Sequence, residues 1–276
     1  MSISVNKKLL CFFWAFISLV FYTSDLAFAD PIAPKNSLVE AAILWRLKES
    51  PVKEKTGRAM KICQGIEQAK TAKKVVALTF DDGPHPKHTR EILEILKQHD
   101  IRATFFVIGK NAQRHPDVIK EADTDGNIIS NHSYSHFYLT TLSSDDIETE
   151  LQKTNNLIYK TIQKYPTFFR PPYGACSDKS TQIVDRLGFT TITWNVMTDD
   201  YSSRQTSERI AAYVIKHAKP GAIIGLHDGG GNREKTVGAL PIIIKALKDE
   251  GYKFLTIPEL LNIKAYRDDD VGKKLG

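Results

Sequence analysis

From residue 74 onward, short apolar runs alternate with longer amphipathic stretches, and this alternation most narrows what the chain can fold into. The apolar runs are 75–80, 103–108, 127–130, 167–170, 190–196, 222–226 and 252–256. Between them lie helical patterns such as 89–98, 143–162, 179–187, 207–218 and 236–248. Ser143, with Asp146 three residues on and Ile147, Leu151, Leu157 and Ile158 following, resembles a capping box that opens a helix. Strands alternating with helices imply βα units and a parallel sheet, because parallel strands need a crossover connection. Seven such units fit a closed or nearly closed β/α barrel in one domain, residues 74–263.

The flanks read differently. Residues 1–29 look like an export leader: Lys7 and Lys8 precede an apolar stretch from Leu9 to Tyr22, and Ala27-Phe28-Ala29 is a cleavage sequence. The alternative is an uncleaved anchor, but that stretch is shorter than the roughly 20 residues needed to span a bilayer. The chain is exported on either reading, to a periplasm, a wall or the medium, with no stable membrane span once the leader is cut. Residues 30–73 carry one amphipathic stretch (Val39, Ile43, Leu44, Leu47) broken by Pro51, read as an N-terminal helical extension packed on the barrel. Residues 264–276 read as a charged, mobile tail.

The whole chain has 38 Lys+Arg against 32 Asp+Glu, a net +6. The excess is spread out with no basic block, so nothing points to nucleic acid. Cys11 lies in the leader, leaving Cys63 and Cys176, which can pair in an oxidising compartment; spacing alone leaves that open.

The chemically suggestive residues fall at the C-terminal ends of the expected strands. Asp81 and Asp82 follow the first, His132 the third, Arg170 the fourth, Asp200 the fifth and His227 the sixth. In β/α barrels that rim is where active sites are built. Thr79-Phe80-Asp81-Asp82-Gly83-Pro84 alone is also a good turn sequence. His132-Ser133-Tyr134-Ser135-His136 alone could be two histidines on one helical face, and Ser133 stands where a zinc protease of the HExxH kind has its glutamate base. Together the two segments offer three metal ligands and a spare carboxylate, the minimum for metal-assisted hydrolysis.

Arg170-Pro171-Pro172-Tyr173-Gly174 adds a guanidinium able to hold a carboxylate, and the Tyr173 amide as a donor toward a developing oxyanion. Ile224-Gly225-Leu226-His227-Asp228 ends a strand in a histidine suited to general-acid work. A rigid turn with a surface arginine, and a structural histidine, are the bland alternatives. Among the other histidines only His85, just beyond the aspartate pair, draws notice.

These motifs, in this order over residues 74–258, resemble the polysaccharide deacetylases, carbohydrate esterases that include chitin and peptidoglycan deacetylases. The resemblance implies a distorted, roughly seven-stranded (β/α)7 barrel, a single catalytic domain of the α/β class. It implies Asp81 as catalytic base, with Asp82, His132 and His136 as metal ligands. It further implies Arg170 orienting the base, the Tyr173 amide at the oxyanion, Leu226 lining the acetyl pocket and His227 as general acid tuned by Asp200. The fourth motif departs: the family's Asp-x-x-Asp-Trp is here Met197-Thr198-Asp199-Asp200-Tyr201.

The expected reaction is metal-assisted deacetylation of an N-acetylglucosamine-containing polysaccharide. Zinc is the first choice of ion, with cobalt and nickel also suited to a His2Asp set. The rivals are an O-acetyl esterase acting on xylan or another sugar, a hydrolase of small amides or formyl groups, and a carbohydrate-binding protein with a vestigial site.

Overall fold

The computed structural model describes residues 61–267; the leader, residues 30–60 of the extension and residues 268–276 lie outside that range. Strand β2 (Val75–Asp81) is buried along all but its first residue. It pairs in parallel with β3 (Thr104–Val107) on one side and β9 (Ala222–His227) on the other. Beyond β3 come β4 (Ile128–Asn131), β5 (Phe168–Phe169) and β7 (Thr190–Thr191); beyond β9 comes β8 (Val196–Met197). β10 (Lys253–Phe254) pairs with the first two residues of β2, where β3 has not yet begun. Every ladder in this sheet is parallel, and the sheet curls into a half-barrel.

The expected strand 190–196 is two strands. β7 pairs with β5 and β8 with β9, at opposite edges of the sheet, and residues 192–195 carry the chain across. Along this seam the Ile192 amide donates to Phe169 O (2.9 Å), Thr193 to Ile66 O (3.0 Å) and Asn195 to Ile223 O (3.3 Å). One apolar run therefore serves both edges, and the ladder breaks where it changes partner.

Side chains alternate across the sheet. Phe80, Phe105, Val107, Ile224 and Leu226 face outward into one cluster with the helices. Ala77, Phe106, Phe168, Ile192 and Ile223 fill the inside. Each large side chain so buried contributes about 1.5–3 kcal/mol.

The helices on the outer layer are α1 (His88–Gln98), α2 (Gly109–Arg114), α3 (Pro116–Thr124), α4 (Ser144–Ile162), α5 (Asp178–Arg186), α6 (Ser207–His217), α7 (Glu234–Asp249) and α8 (Ile257–Leu261). Ser143 caps α4 as expected, its hydroxyl accepting from the Asp146 amide (3.2 Å). Helices α2 and α3 escape a periodicity reading because they are short and meet at His115, with Pro116 starting the second. Among the described residues no helix is long and apolar enough to cross a membrane.

The packed chain extends past both boundaries drawn from sequence. Residues 61–68 are extended, not helical: β1 (Lys61–Ile62) pairs antiparallel with β6 (Ala175–Cys176), and Ile66 and Gln68 bridge to Ile192 and Ala222. Cys63 and Cys176 form a disulfide, their Cα atoms 5.1 Å apart. At the other end, residues 264–267 are part of the fold and not of a mobile tail. The Thr167 amide donates to Ala265 O (2.9 Å), the Arg267 amide to Tyr165 O (2.9 Å), and the Tyr266 hydroxyl accepts from the Ile129 amide (2.9 Å).

Candidate active site

Asp81 is the last residue of β2, facing inward and 2% exposed. Its Oδ1 accepts from Arg170 Nη1 at 2.7 Å. Arg170 is fully buried and spends its other donors nearby: Nη1 on Thr79 Oγ1 (2.8 Å), Nε on Ile192 O (3.2 Å) and Nη2 on Thr193 O (3.0 Å). The Phe106 ring centroid lies 4.0 Å from its Cζ, and that of Trp194 5.3 Å away. Arg170 thus fixes one carboxylate oxygen of Asp81 by a charge-assisted bond.

Asp82 leaves the strand with φ 73°, which turns its side chain away from that of Asp81. Its Oδ1 lies 3.1 Å from His136 Nε2 and 3.5 Å from His132 Nε2. No well-aligned donor reaches Oδ1, which is a buried oxygen without a hydrogen bond. Burial would raise this carboxyl, but the His132 and His136 imidazoles, with the charge of His227 beyond them, hold it well below the ordinary carboxylate range. His132 Nδ1 donates to Arg170 O at 2.7 Å, which leaves the Nε2 lone pair facing Asp82.

The HSYSH segment is a loop rather than a helix, so the reading of two histidines on a helical face does not apply. The Ser133 amide donates to Asn131 Oδ1 (2.8 Å), while the Tyr134 and Ser135 amides donate to Glu150 Oε2 (2.9 and 2.7 Å). Seven described non-glycine residues have positive φ, and four belong to this site: Asp82, Ser133, His136 and Tyr173. Of the others, Gln163 and Asn262 end helices and Asp100 lies in the turn after α1. Strained backbone away from helix ends therefore concentrates here, held by the surrounding hydrogen bonds.

Nitrogen and oxygen donors of Asp82, His132 and His136 all lie within 4.8 Å of one another. Two imidazoles and a carboxylate converging on one point, with an orphaned buried oxygen among them, fit a divalent ion that keeps an open coordination position.

His227 ends β9 opposite Asp81 and faces the same interior. Asp200 grips it twice, accepting from its Nδ1 (2.7 Å) and its amide (2.9 Å), and takes a third bond from Thr236 Oγ1 (2.7 Å). Burial would lower the His227 pKa, but the negative charge of Asp200 outweighs this and raises it above the ordinary value. Tyr201 stands edge-on to the His227 ring, centroids 5.7 Å apart. Met197 Sδ packs against Gly225, so both departures in the fourth motif line this interior.

Leu226 is a correction. It is fully buried in the outer cluster with Phe80, one residue out of phase with His227, and so cannot line an acetyl pocket. The strand position that faces the interior beside His227 is Gly225.

Three further residues support the site in roles that the sequence reading did not assign. Thr79 holds Arg170, and Thr236 holds Asp200. Asp228, fully buried, accepts from Thr89 Oγ1 (2.6 Å), and its amide donates to Asp81 O (3.0 Å). Burial pushes its carboxyl up to about 7, and its Oδ1 has no partner. The glycines on either side of this contact are obligatory by space: a Cβ on Gly83 would stand 2.0 Å from Asp228 Oδ2, and one on Gly229 2.1 Å from Asp82 O. Only the position of Asp228 directly after His227 could have drawn attention to it. His85 takes a structural role, its Nδ1 accepting from the Lys87 and His88 amides (3.2 Å each) at the start of α1.

Residues 68–192 match the sequence profile described as Polysaccharide deacetylase. A peptidoglycan-N-acetylglucosamine deacetylase of Bacillus cereus is 38% identical over 193 residues, 69% of this chain and 90% of that protein. The solved structure of the Bc1960 peptidoglycan N-acetylglucosamine deacetylase, in complex with 4-naphthalen-1-yl-N-oxidanyl-benzamide, superposes with a TM-score of 0.71 at 33% identity. It covers 73% of this chain and 94% of that one. A family 4 acetyl xylan esterase from Clostridium thermocellum, in complex with a cobalt ion, gives 0.64 at 36% identity, covering 68% and 90%.

Proposed function

Because the chain belongs to the polysaccharide deacetylase family and is similar over most of its length to a hydrolytic deacetylase, we propose that it removes N-acetyl groups from an N-acetylglucosamine-containing polysaccharide. The observation that carries this reading is the division of labour between two adjacent carboxylates. Asp81 is paired with Arg170, while Asp82 turns to His132 and His136.

Asp82, His132 and His136 would hold a divalent cation, zinc by their donor chemistry, which when bound polarises the acetyl carbonyl and acidifies water. Asp81 accepts the proton of the attacking water. With one oxygen held by Arg170, its carboxylate cannot swing toward the imidazoles. The Tyr173 amide, the first backbone donor after Pro171-Pro172, donates to the oxyanion as the carbonyl is attacked. His227 gives its Nε2 proton to the departing amine, since Asp200 holds the Nδ1 side. The leader and the disulfide both support export, and the named substrate of the Bacillus cereus relative points to cell-envelope glycan.

The test is acetate release from N-acetylglucosamine oligomers, peptidoglycan and acetylxylan, with and without chelator. Chelator-sensitive release from the N-acetylated substrates is expected. Release from acetylxylan alone would replace this reading by O-acetyl esterase activity, in line with the similarity to the xylan esterase. Release from none of them would overturn it.

A further inference from the structure

Residues 61–69 form a strap that no step of the proposed chemistry uses, yet one end of it lies against the turn that carries the Tyr173 amide. Tyr173 has φ 60°, a left-handed conformation that a tyrosine rarely adopts unless its surroundings impose it. The direction of its amide must therefore be held from both sides of the turn. On the N-terminal side Arg170 is fixed by its own hydrogen bonds, and Pro171 and Pro172 restrict the backbone that follows. Inside the turn the Gly174 amide donates to Pro171 O (3.0 Å), and the Tyr173 ring stacks on that of Tyr138, centroids 3.9 Å apart.

The C-terminal side is held by the strap. The Cys63 amide donates to Gly174 O (2.9 Å), β1 pairs with β6, and the disulfide joins Cys63 to Cys176, three residues past Tyr173. Beyond Cys176 the chain enters α5 through the Ser177 cap, which fixes the helix rather than the turn. The strap is itself fastened to the sheet. The Ile66 amide donates to Thr191 O (3.0 Å), Ile66 O accepts from the Thr193 amide (3.0 Å), and the Ala69 amide donates to Gly221 O (2.9 Å). A Cβ on Gly65 would stand 2.9 Å from Thr191 O and from Thr193 Cγ2, so the strap lies flush on the seam. Ile66 packs against the inner cluster that contains Ile192 and Ile223. A segment anchored at 66–69 thus reaches residues 174–176 and pins the exit of the turn, with the disulfide as its covalent part.

We propose that the strap and its Cys63–Cys176 bridge position the Tyr173 amide for turnover. With the bridge closed, the donor stays aimed at the oxyanion. With it open, the base, the ligands and the acid, each held by partners outside the strap, keep their places while the donor loses its aim. A phosphine reductant opens the bridge with one water: the disulfide gains two electrons and two protons to become two thiols, and the phosphine becomes its oxide. This inference rests on the oxyanion role proposed above for Tyr173.

The test compares oxidised wild type, wild type reduced with tris(2-carboxyethyl)phosphine, and a Cys63→Ser, Cys176→Ser double variant, all in saturating zinc well below the unfolding temperature. The variant treated with phosphine controls for the reagent. On an N-acetylglucosamine tetramer kcat is expected to fall about tenfold in the reduced and variant proteins, part of the about 10²–10³ that an oxyanion donor is worth. KM and zinc content should match oxidised wild type, and reoxidation should restore kcat to the reduced protein but not to the variant. A bridge that only stabilises would lower the urea midpoint and leave kcat alone, so kcat within about twofold of oxidised wild type in folded protein overturns the proposal. Hydrogen exchange at the Gly174 amide reads the same point without turnover: exchange about fivefold faster on reduction is expected, and exchange within about twofold overturns it. Loss of the fold in both the variant and the reduced protein would assign the bridge to stability alone and overturn it too. If oxidised wild type releases no acetate from the tetramer, the deacetylase reading fails, while the exchange measurement still decides the positioning.

Discussion

Replacing Arg170 by methionine probes the pairing on which the proposed base depends. Arg170 is fully buried and donates to Thr79, Asp81, Ile192 and Thr193 at 2.7–3.2 Å. Methionine keeps much of the stem's volume and removes the charge with every donor. Asp81, 2% exposed, is then a buried anion without its counter-charge, and breaking such a pair from one side costs about 3–5 kcal/mol. Against a total stability of about 5–15 kcal/mol that is a large loss. Asp81→Asn leaves the guanidinium with its other acceptors and should cost about 1.5–3 kcal/mol, the worth of a hydrogen bond to a charged group. In the double variant neither charge is stranded, so its cost should fall short of the sum by more than about 1 kcal/mol. Urea unfolding of all four proteins in chelator, with matching slopes, measures this. Single-variant costs that add within about 0.5 kcal/mol would mean that Arg170 is not the counter-charge of Asp81.

Four further outcomes are expected. Asp81→Asn should bind zinc like wild type by metal analysis while kcat drops about 10²–10⁴-fold; full turnover would remove Asp81 from the role of base. His136→Ala should purify with markedly less zinc, and chelated wild type should regain activity on adding zinc or cobalt. Asp200 raises His227 above its ordinary pKa of 6.5, so the acid form persists above that pH and the alkaline limb of kcat lies above it as well. Asp200→Asn should move that limb to lower pH, and superimposable profiles would show that Asp200 does not tune the acid. Asp228 titrates near 7 when folded and near 4 when unfolded, so the stability it confers at acid pH is lost as pH rises through that interval. Asp228→Asn, in chelator, should therefore unfold at higher urea than wild type at pH 8 and show little gain at pH 4; a gain at pH 4 equal to that at pH 8 refutes the argument.

The residues that declare themselves in sequence do so by sitting at the ends of apolar runs. Asp81, Asp82, His132, Arg170 and His227 each follow one, and a parallel β/α sheet gathers such ends at one rim. Leu226 could not be placed in the same way. The run 222–227 is buried on both faces, so it shows no alternation from which to read which side chains face inward. Counting parity back from His227 would have assigned the interior position to Gly225. The run 190–196 looks like one strand because nothing in composition marks a change of partner at Ile192. Thr79 and Thr236 carry no signal of their own, because a threonine within an apolar run or in the first turn of a helix is ordinary until its hydroxyl is seen to hold Arg170 or Asp200. The disulfide was undecidable because chain spacing carries no information on whether two Cβ atoms meet.

The seam at residues 192–195 gives Arg170 a second employment. Where the ladder breaks, the carbonyls of Ile192 and Thr193 point inward, and Arg170 Nε and Nη2 supply their donors. The residue that steadies the base also fastens the two edges of the sheet together. Selection for folding therefore presses harder on position 170, which holds two seam carbonyls as well as Asp81, than on position 81, while turnover presses on both. In a library of this protein sorted for soluble, folded product and blind to activity, asparagine at position 81 should survive more often than any substitution of Arg170. Catalysis can thus be lost from this barrel without loss of its arginine, and an inert descendant would still carry that half of the machinery intact.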